Sequence, residues 1–390
     1  MDAALFADSP FGAPAREPGN KYAFTYYLPR SLPRQLDVSP AVVEAMSDAD
    51  AALGMLQGLS VLMHDPELLI GPSIKREAVA SSRIEGTQAS LSDVLQAEVG
   101  DRSASNDDVR EVEQYLEATR LAYELAKKLP ITRRLLLHVH AVLLTGVRGQ
   151  EKSPGEFRTS PVWVGSVGDT PDTAAYVPPI PAHLPELMSD WEKFVNEDGR
   201  RLPVLLQAAL MHYQFETIHP FLDGNGRIGR LVINLLLMDR GRLDQPLLYI
   251  SHYFESHRSA YYEALQGVRE RGDIDTWLRF FLEAVKEQAN DAVARSRRLI
   301  GIREEYLKEA VKGRSSLPQL VEQIVQNPYI TVKYFAQTAD LTEQGARTVI
   351  RRAADKGWLR RMGIRGQGGR EYWYAPEVVA ALEEPMVYSG

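Results

Sequence analysis

The segment 219–230, HPFLDGNGRIGR, holds residue types that could carry out chemistry on a phosphate ester. The imidazole of His219 can accept a proton near neutral pH, because an unperturbed histidine has a pKa of about 6.5. Asp223 can hold Mg²⁺, a hard cation that prefers carboxylate and phosphate oxygens. Because Pro220 disfavours a helical backbone at the residue before it, we predict that the preceding helix ends at His219.

The glycines of this segment predict a seat for an anion. Gly224 and Gly226 permit a left-handed backbone and let a ligand approach the main chain closely. The apolar residues that follow predict a helix that begins near Arg227, and the first amide groups of a helix are unpaired and favour a bound phosphate. Arg227 and Arg230 lie on the first turns and could bind further oxygens. For the glycines alone, an ordinary surface loop is the alternative.

A second segment, EAVASSRIEGTQAS at 77–90, places Ser81 and Glu85 four residues apart, hence on one face of a helix. Two structural alternatives need no function. Ser82 and Glu85 have the spacing of a capping box, and Gly86 could close a helix at its C-terminal end.

The remaining pattern predicts a mostly helical protein. Apolar residues recur every three to four positions, and no alternation of strands and helices predicts a parallel sheet. The first 40 residues, rich in Pro and Gly, are expected to form an extended arm, and 157–178 a short hairpin. The predicted helices lie between about 40 and 130 and at 132–146, 204–216, 227–240, 257–269, 275–295 and 301–316, the last with a linker.

Residues 317–376 differ from the rest, with three short helical segments and then two strands around a glycine-rich turn. This pattern resembles a winged helix-turn-helix domain. Between 331 and 374 there are nine Lys and Arg against four Asp and Glu, a local charge of +5 in a chain of net charge −7. Such a footprint suits nucleic-acid phosphates, and the groove-facing candidates are Thr342, Gln344, Arg347 and Thr348. Protein contacts, dimerisation or recruitment of a target are the alternative.

The composition excludes further classes of protein. The 390 residues contain no cysteine, which excludes disulfides, thiolate metal sites and a cysteine nucleophile. No apolar run approaches the roughly 18 residues of a membrane span, and the N-terminus lacks the pattern of a signal peptide. We therefore expect a cytoplasmic protein with no membrane contact. Since residues two apart on a helix face different ways, His138 and His140 are expected to have packing or surface roles, and His212 a structural one.

The segment HPFLDGNGRIGR resembles in full the signature of the Fic family. PGEFRTSPVWVG, YVPP and LVINLLLM are also similar to that family, so the resemblance covers about residues 40–295. It implies a Fic-type helical core with a β-hairpin flap, and the transfer of a nucleoside monophosphate, usually AMP from ATP, to a Ser, Thr or Tyr hydroxyl of a protein. His219 would be the general base and Asp223 the Mg²⁺ ligand. The implied phosphate-binding residues are Asp223, Gly224, Asn225, Gly226, Arg227 and, for the γ-phosphate, Arg230.

The same resemblance implies where the target and the adenine lie. The flap that docks the target would be 160–178, with Val164, Gly165 and Ser166 as its contacts. Tyr261 and Tyr262 stand where family members line the adenine pocket, although a core or surface role for either tyrosine is nearly as well founded.

The pattern S-x-x-x-E-G at 81–86 resembles the inhibitory helix of many Fic proteins, whose glutamate pairs with the second arginine of the signature. Ser81, Glu85 and Gly86 would form this element here, and an Arg230 held by Glu85 could not bind the γ-phosphate. In some family members the same glutamate positions a water for removal of AMP. The sequence does not separate the two directions of the reaction.

We predict four regions: an arm and helical region with the inhibitory helix (1–95), the Fic core (96–300), a linker helix (301–316) and the winged helix (317–380). The expected substrates are ATP with Mg²⁺ and a protein target or the chain itself, and a homodimer is left open. The competing hypothesis is a DNA-binding regulator whose Fic core senses a nucleotide.

Overall fold

The computed structural model describes residues 1–17, 23–62, 67–100, 106–166, 168–311, 316–365 and 370–385. These ranges are mostly helical, with a few short strands. None of their helices combines the length and the apolar character that a membrane span requires.

The elements are numbered in chain order. The helices are α1 (Pro40–Leu62), α2 (Glu67–Ile84), α3 (Leu91–Val99), α4 (Asp107–Ala126), α5 (Arg133–Leu143), α6 (Leu184–Asn196), α7 (Val204–Ile218), α8 (Asn225–Asp239), α9 (Ser251–Ser256), α10 (Arg258–Arg271), α11 (Ile274–Ala310), α12 (Leu317–Gln326), α13 (Val332–Thr338), α14 (Glu343–Asp355) and α15 (Pro376–Glu383). The strands are β1 (Gly12–Ala15), β2 (Tyr26–Pro29), β3 (Tyr329–Thr331), β4 (Arg360–Arg365) and β5 (Arg370–Tyr374).

Helices α7 and α8 form the centre of the main core and carry the segment 219–230 between them. Nearly every residue of both helices is buried. The indole N–H of Trp191 donates to the carbonyl of Met211 at 3.0 Å, and that of Trp277 donates to the carbonyl of Ala209 at 3.0 Å. Because the core encloses both helices, the loop that joins them is held firmly at each end.

The helix predictions are confirmed, with corrections at two places. Helix α8 begins at Asn225 rather than near Arg227, because Gly224 acts as its N-cap with a left-handed backbone. The segments expected at 275–295 and 301–316 belong to one helix of 37 residues, α11, which ends at Ala310. Residues 312–315 of the predicted linker lie outside the described residues.

The hairpin predicted over 157–178 is corrected to a loop. Among its described residues, Val164 and Tyr176 form an isolated antiparallel bridge instead of two paired strands. The carboxylate of Asp169 accepts hydrogen bonds from the backbone N–H of Ser166 at 2.5 Å and from the hydroxyl of Thr173 at 3.0 Å. These bonds satisfy local polar groups within turns, so a longer ladder does not form.

The N-terminal arm is a small sheet that lies against this loop. Strands β1 and β2 pair in antiparallel fashion, and Tyr26 and Tyr27 of β2 are buried. The backbone N–H of Tyr27 donates to the carbonyl of Val177 at 2.9 Å. The arm is therefore hydrogen-bonded to the loop next to the Val164–Tyr176 bridge.

Residues 316–385, called here the C-terminal unit, have an apolar core of their own. Helices α12, α13 and α14 pack against an antiparallel sheet with the strand order β3-β5-β4. The tip between β4 and β5, residues 366–369, lies outside the described residues. Leu91, Leu95 and Val99 of α3 are buried in this second core rather than in the main one.

Helix α2, which carries Ser81, is anchored by buried charges. The carboxylate of Asp291 in α11 accepts from Arg76 of α2 at 3.0 Å and from Arg295 at 2.7 Å. Arg295 also donates to the carbonyl of Ala381 in α15 at 2.9 Å. This network joins α2 and α15 to α11.

We expect Asp291→Ala to lower the free energy of unfolding by about 3 kcal/mol, because it leaves two guanidinium groups buried without their carboxylate. Urea denaturation followed by circular dichroism measures the change. Glu117→Ala removes the exposed ion pair with Arg120 and should change stability by less than about 0.5 kcal/mol. Equal effects of the two substitutions would contradict the assignment of the network as an anchor.

Candidate active site

His219 follows α7 directly and adopts a left-handed backbone, with φ 51° and ψ 61°. Its N–H still donates to the carbonyl of Phe215 at 2.9 Å, so it closes the helix as a C-cap. A residue with a side chain rarely adopts this conformation, and such strain is found mostly where surrounding contacts enforce it. The prediction that α7 ends at His219 is confirmed.

Arg158 provides those contacts. Its guanidinium is buried and donates to the carbonyl of His219 at 2.8 Å and to that of Ile218 at 3.3 Å. It also donates to the carbonyls of Ser160 at 3.3 Å and Pro179 at 2.5 Å, at the two ends of the 160–178 loop. One arginine thus fixes the backbone of His219 and the base of the loop together. Sequence reasoning missed it, since no spacing marks the arginine in PGEFRTS.

The turn from His219 to α8 is braced by Asn225. Its side chain accepts from the backbone N–H of Phe221 at 2.8 Å and donates to the carbonyl of Phe221 at 2.9 Å. This side chain is therefore engaged within the loop, and what Asn225 can offer a phosphate is its backbone amide. No side chain of the described residues caps α8, so the amides of 225–227 stay unpaired at its start.

His140 supports the same turn and was expected to have a packing role. Its ring is buried, stacks on Phe221 with the centroids 3.8 Å apart, and its Nε2 lies 3.0 Å from the carbonyl oxygen of Asp223. Its Nδ1 accepts from the backbone N–H of Gly155 at 2.9 Å. Burial lowers the pKa of His140 to about 4, so the ring is neutral at pH 7 and can donate through one nitrogen and accept through the other. The histidine positions the backbone of a predicted metal ligand.

Arg227 and Asp223 form an ion pair with N–O distance 3.0 Å. The Arg227 side chain is buried, and its Nε has no hydrogen-bond partner in the described structure. The Asp223 carboxylate is about a third exposed, at 35%. An unpaired buried donor beside the unpaired amides of α8 suits an anionic ligand.

Arg230 is held by the segment that follows and includes the end of α2. The guanidinium is 1% exposed and donates through Nη2 to the Glu85 carboxylate at 2.8 Å. Its Nε donates to the hydroxyl of Ser81 at 3.0 Å, and Nη2 also donates to the carbonyl of Ser81 at 2.8 Å. The structure thus brings together three of the residues that the sequence singled out, from segments about 145 positions apart.

Gly86 explains why Glu85 reaches Arg230. Helix α2 ends at Ile84, so Glu85 lies in the turn after the helix and not on its face as predicted. The N–H of Gly86 donates to the carbonyl of Arg83 at 3.0 Å, and the N–H of Thr87 donates to that of Ser82 at 3.2 Å. With φ 100° at Gly86, these bonds form a glycine-closed helix end. Ser82 lies within α2, so the capping-box alternative is wrong.

Two further glycines leave space for side chains that pack closely in the site. A Cβ on Gly226 would lie 2.2 Å from Oε1 of Glu85 and 2.7 Å from Nη1 of Arg230. A Cβ on Gly229 would lie 2.7 Å from Oε1 of Glu216, a buried oxygen with no hydrogen-bond partner in the described structure. Burial raises the pKa of Glu216 to about 7, and nearby Arg230 opposes this shift. Glycine is thus required at 229 for a steric reason, the closeness of Glu216, which the motif alone does not reveal.

Burial and charge set the ionisation of the central pair. Burial raises the pKa of Glu85, but Arg230 outweighs this effect, so the pKa lies below its usual value. For Arg230, burial lowers the pKa, and Glu85 again outweighs it, so the pKa lies above its usual value. Both groups are therefore charged at neutral pH.

The two tyrosines have different surroundings. Tyr261 is buried in the core, where its hydroxyl lies 2.9 Å from Nε2 of His212 and its ring stacks on Phe254 at 4.5 Å. It has the core role that the sequence left open, and His212 has its expected structural role as this hydroxyl's partner. Tyr262 is 41% exposed, and Arg258 lies over its ring at 5.9 Å. Of the two rings, Tyr262 is the one that a ligand could contact.

Comparison with known proteins agrees with this site. Residues 43–124 match the Fic/DOC family N-terminal domain, and residues 130–237 match the Fic/DOC family domain. These two segments of the chain are thus similar to the Fic/DOC family.

The chain is similar to curated proteins named protein adenylyltransferase Fic. With that of Drosophila willistoni it shares 31% identity over 262 residues, 65% of this chain and 45% of that protein. With that of Drosophila grimshawi it shares 38% over 164 residues, 42% of this chain and 30% of that protein. The match therefore spans less than half the length of these relatives.

Two solved structures share the fold. A Fic family protein from Desulfovibrio desulfuricans G20 has a TM-score of 0.58 at 19% identity, and the alignment covers 87% of this chain and 97% of that one. Fic-1 from C. elegans has a TM-score of 0.53 at 21% identity, covering 66% and 74%.

We expect the His219 ring to stay neutral down to about pH 5. Burial lowers its pKa to about 4, with further lowering by Arg158 and Arg269, which outweigh the opposite effect of Glu85. Two-dimensional NMR of the ring nitrogens as a function of pH measures the midpoint, and His219→Ala identifies the resonances. A midpoint near the ordinary value of about 6.5 would show that burial and the two arginines do not lower the pKa of His219.

Proposed function

We propose that the protein transfers AMP from ATP to a hydroxyl group of a protein, in line with its similarity to proteins named protein adenylyltransferase Fic. The observation that carries the proposal is the loop between α7 and α8. It places a histidine with a lowered pKa within a few residues of unpaired helix-start amides and of the buried Arg227. A base next to a phosphate-binding helix start is what an attack on the α-phosphate requires.

In this reaction the neutral His219 takes the proton from a Ser, Thr or Tyr hydroxyl. The hydroxyl oxygen forms a bond to the α-phosphorus, the bond from that phosphorus to the bridging oxygen breaks, and pyrophosphate leaves. The amides at 225–227 and the unpaired Nε of Arg227 hold phosphate oxygens, and Arg230 binds the γ-phosphate when it is free of Glu85. Positioning and charge stabilisation supply most of the catalysis in such transfers.

Mg²⁺ fits the residues of this loop. Its ligand would be Asp223, whose carboxylate is partly exposed and already balances the charge of Arg227. The described residues contain no group of three acidic or histidine side chains that could hold a metal by themselves. A single carboxylate suits a magnesium ion that arrives with the phosphates and keeps several waters, and such an ion neutralises phosphate charge.

The site as observed is proposed to be the inhibited state. The ion pair and the bonds to Ser81 occupy the guanidinium of Arg230, which the γ-phosphate would need. The Glu85 carboxylate would also repel a triphosphate at this position. Glu85 would also orient a water for the reverse reaction, as the corresponding glutamate does in some Fic proteins, and its charge raises the pKa of His219. Removal of AMP by the same site is the second candidate activity.

We expect Glu85→Gly to raise the transfer of AMP by about tenfold or more, because tenfold requires only about 1.4 kcal/mol of lost inhibition. Labelled transfer from α-labelled ATP to proteins of a cell lysate and to the chain itself is the measurement. His219→Ala should abolish it in the same background.

A matched control separates the charge of Glu85 from the flexibility of an added glycine. Gln88→Gly changes the same turn, where the Gln88 side chain bonds the carbonyl of Gly86 at 3.0 Å, and leaves Arg230 paired. This variant should behave as the wild type. If Glu85→Gly transfers no nucleotide of any kind, the proposed activity is wrong.

The target is proposed to dock along the 160–178 loop by adding a strand. Val164 exchanges both of its backbone hydrogen bonds with Tyr176, at 2.8 Å and 3.1 Å. Successive residues of a strand direct their backbone N–H and C=O groups to opposite sides. The backbone N–H and C=O groups of residues 163 and 165 therefore point away from the bridge. Trp163 and Val164 are about 40% exposed, which provides apolar surface beside that edge.

The C-terminal unit is proposed to be a winged helix, which its helix order and its β3-β5-β4 sheet support. Its exposed face on α14 includes Gln344, Thr348, Arg351 and Arg352. Arg347, one of the predicted groove-facing residues, is paired with Glu371 at 3.3 Å and is therefore partly engaged. The exposed arginines favour a nucleic-acid duplex as a ligand of this face, and protein contacts or a homodimer remain the alternative use.

If duplex DNA binds here, the Arg351→Ala/Arg352→Ala variant should bind it more weakly. The slope of log affinity against log salt concentration should fall by about 1.8, because each phosphate contact contributes about 0.9. Fluorescence anisotropy with a labelled duplex at several salt concentrations measures it. The control Arg120→Ala/Lys127→Ala removes two exposed cations, one in α4 and one at its C-cap, and should leave the slope unchanged. Absence of duplex binding by the wild type would favour protein contacts.

A further inference from the structure

Helix α3 begins a few residues after Glu85 and is docked on the C-terminal unit. Leu91, Leu95 and Val99 share the apolar core of that unit. The hydroxyls of Ser92 and Tyr329 lie 2.6 Å apart, and the hydroxyl of Thr331 donates to the carbonyl of Val99 at 3.1 Å. The chain segment that holds Arg230 is therefore continuous with one that the C-terminal unit holds.

Glu98 joins three parts of the molecule through one oxygen. Its Oε2 pairs with Nζ of Lys75 in α2 and accepts from Nδ2 of Asn327 in the C-terminal unit at 2.8 Å. Asn327 also donates to the carbonyl of Leu95 at 2.9 Å. Lys75 and Asn327 are both less than a tenth exposed, at 8% and 6%. The Glu98 side chain itself is 29% exposed, and charged hydrogen bonds to buried partners are costly to break on one side only.

This bridge lies beside a cavity of about 780 Å³ between α2, α4 and the C-terminal unit. Lys75, Glu98 and Asn327 are among its lining residues. Side chains that face a cavity lack packing partners on that side. The polar bridge thus joins α2 to the C-terminal unit in addition to the packing of α2 against α12.

We propose that Glu98 is a positioning residue for the inhibition of the active site. Through Lys75 and Asn327 it holds α2 against the C-terminal unit, in the position from which Ser81 and Glu85 bind Arg230. The C-terminal unit thereby sets how strongly the site is inhibited. The test of this inference by enzymatic activity rests on the proposed function. Its test by hydrogen exchange rests on the geometry alone.

The test is Glu98→Gln. This substitution keeps the size of the side chain and removes the negative charge that binds both Lys75 and Asn327. AMP transfer from α-labelled ATP should rise roughly fivefold or more above the wild type, a usual size for coupling between sites. The matched control is Glu309→Gln. It removes the ion pair of Glu309 with Lys356, which joins α11 to the C-terminal unit at 2.8 Å, and should leave the transfer unchanged.

The effect must pass through Glu85. In a Glu85→Gly background, Glu98→Gln should therefore add nothing, whereas two independent effects would multiply. A full further increase in that background would overturn the proposal. So would wild-type transfer by Glu98→Gln alongside a raised transfer by Glu85→Gly.

Amide hydrogen exchange gives a readout that needs no enzymatic activity. The N–H groups of Gly86 and Thr87 close α2 and should exchange several-fold faster in Glu98→Gln than in Glu309→Gln, with α7 and α8 unchanged as a check of folding. If Glu85→Gly transfers no nucleotide, the proposed function fails, and this measurement still decides the coupling. Unchanged exchange at Gly86 and Thr87 would refute it.

Discussion

A guanidinium buried as deeply as that of Arg230 must have an anion beside it. Taking such a charge out of water costs several kcal/mol, and removal of its partner alone is strongly destabilising. In the described structure Glu85 provides that anion, and Ser81 accepts two further hydrogen bonds, from Nε and Nη2. Only a ligand with comparable negative charge can replace the carboxylate. Under the proposed function, inhibition and nucleotide binding would therefore compete for this one arginine.

The geometry around this arginine depends on close approaches of the backbone. Gly226 admits the Glu85 carboxylate and the Arg230 guanidinium, Gly229 admits Glu216, and Gly86 ends α2 so that Glu85 can turn inward. A side chain at 226 would collide with the Glu85–Arg230 ion pair, and one at 229 with the carboxyl group of Glu216. The glycines of the loop therefore make room for these carboxyl and guanidinium groups.

The sequence predicted the parts of the site that lie in one segment. The end of α7 at His219, the helix start after Gly224 and the helical fold follow from local rules of proline, glycine and apolar spacing. It could not predict Arg158 or His140, because their roles depend on long-range hydrogen bonds to the backbone of His219 and Asp223. The prediction of a hairpin over 157–178 was wrong for a related reason. Asp169 accepts hydrogen bonds from nearby donors within turns, and composition does not reveal such bonds.

The N-terminal arm covers one edge of the 160–178 loop. Tyr27 occupies the carbonyl of Val177 on the side away from the bridge, and β1 lies beyond β2. The hydrogen bonds place four short extended segments side by side: β1, β2, the stretch around 176–177 and the stretch around 164. The arm covers one edge, so a peptide docked by the proposed strand addition would join the opposite edge. Its orientation toward His219 would then depend on the N-terminal arm, which is far from the 219–230 loop in sequence.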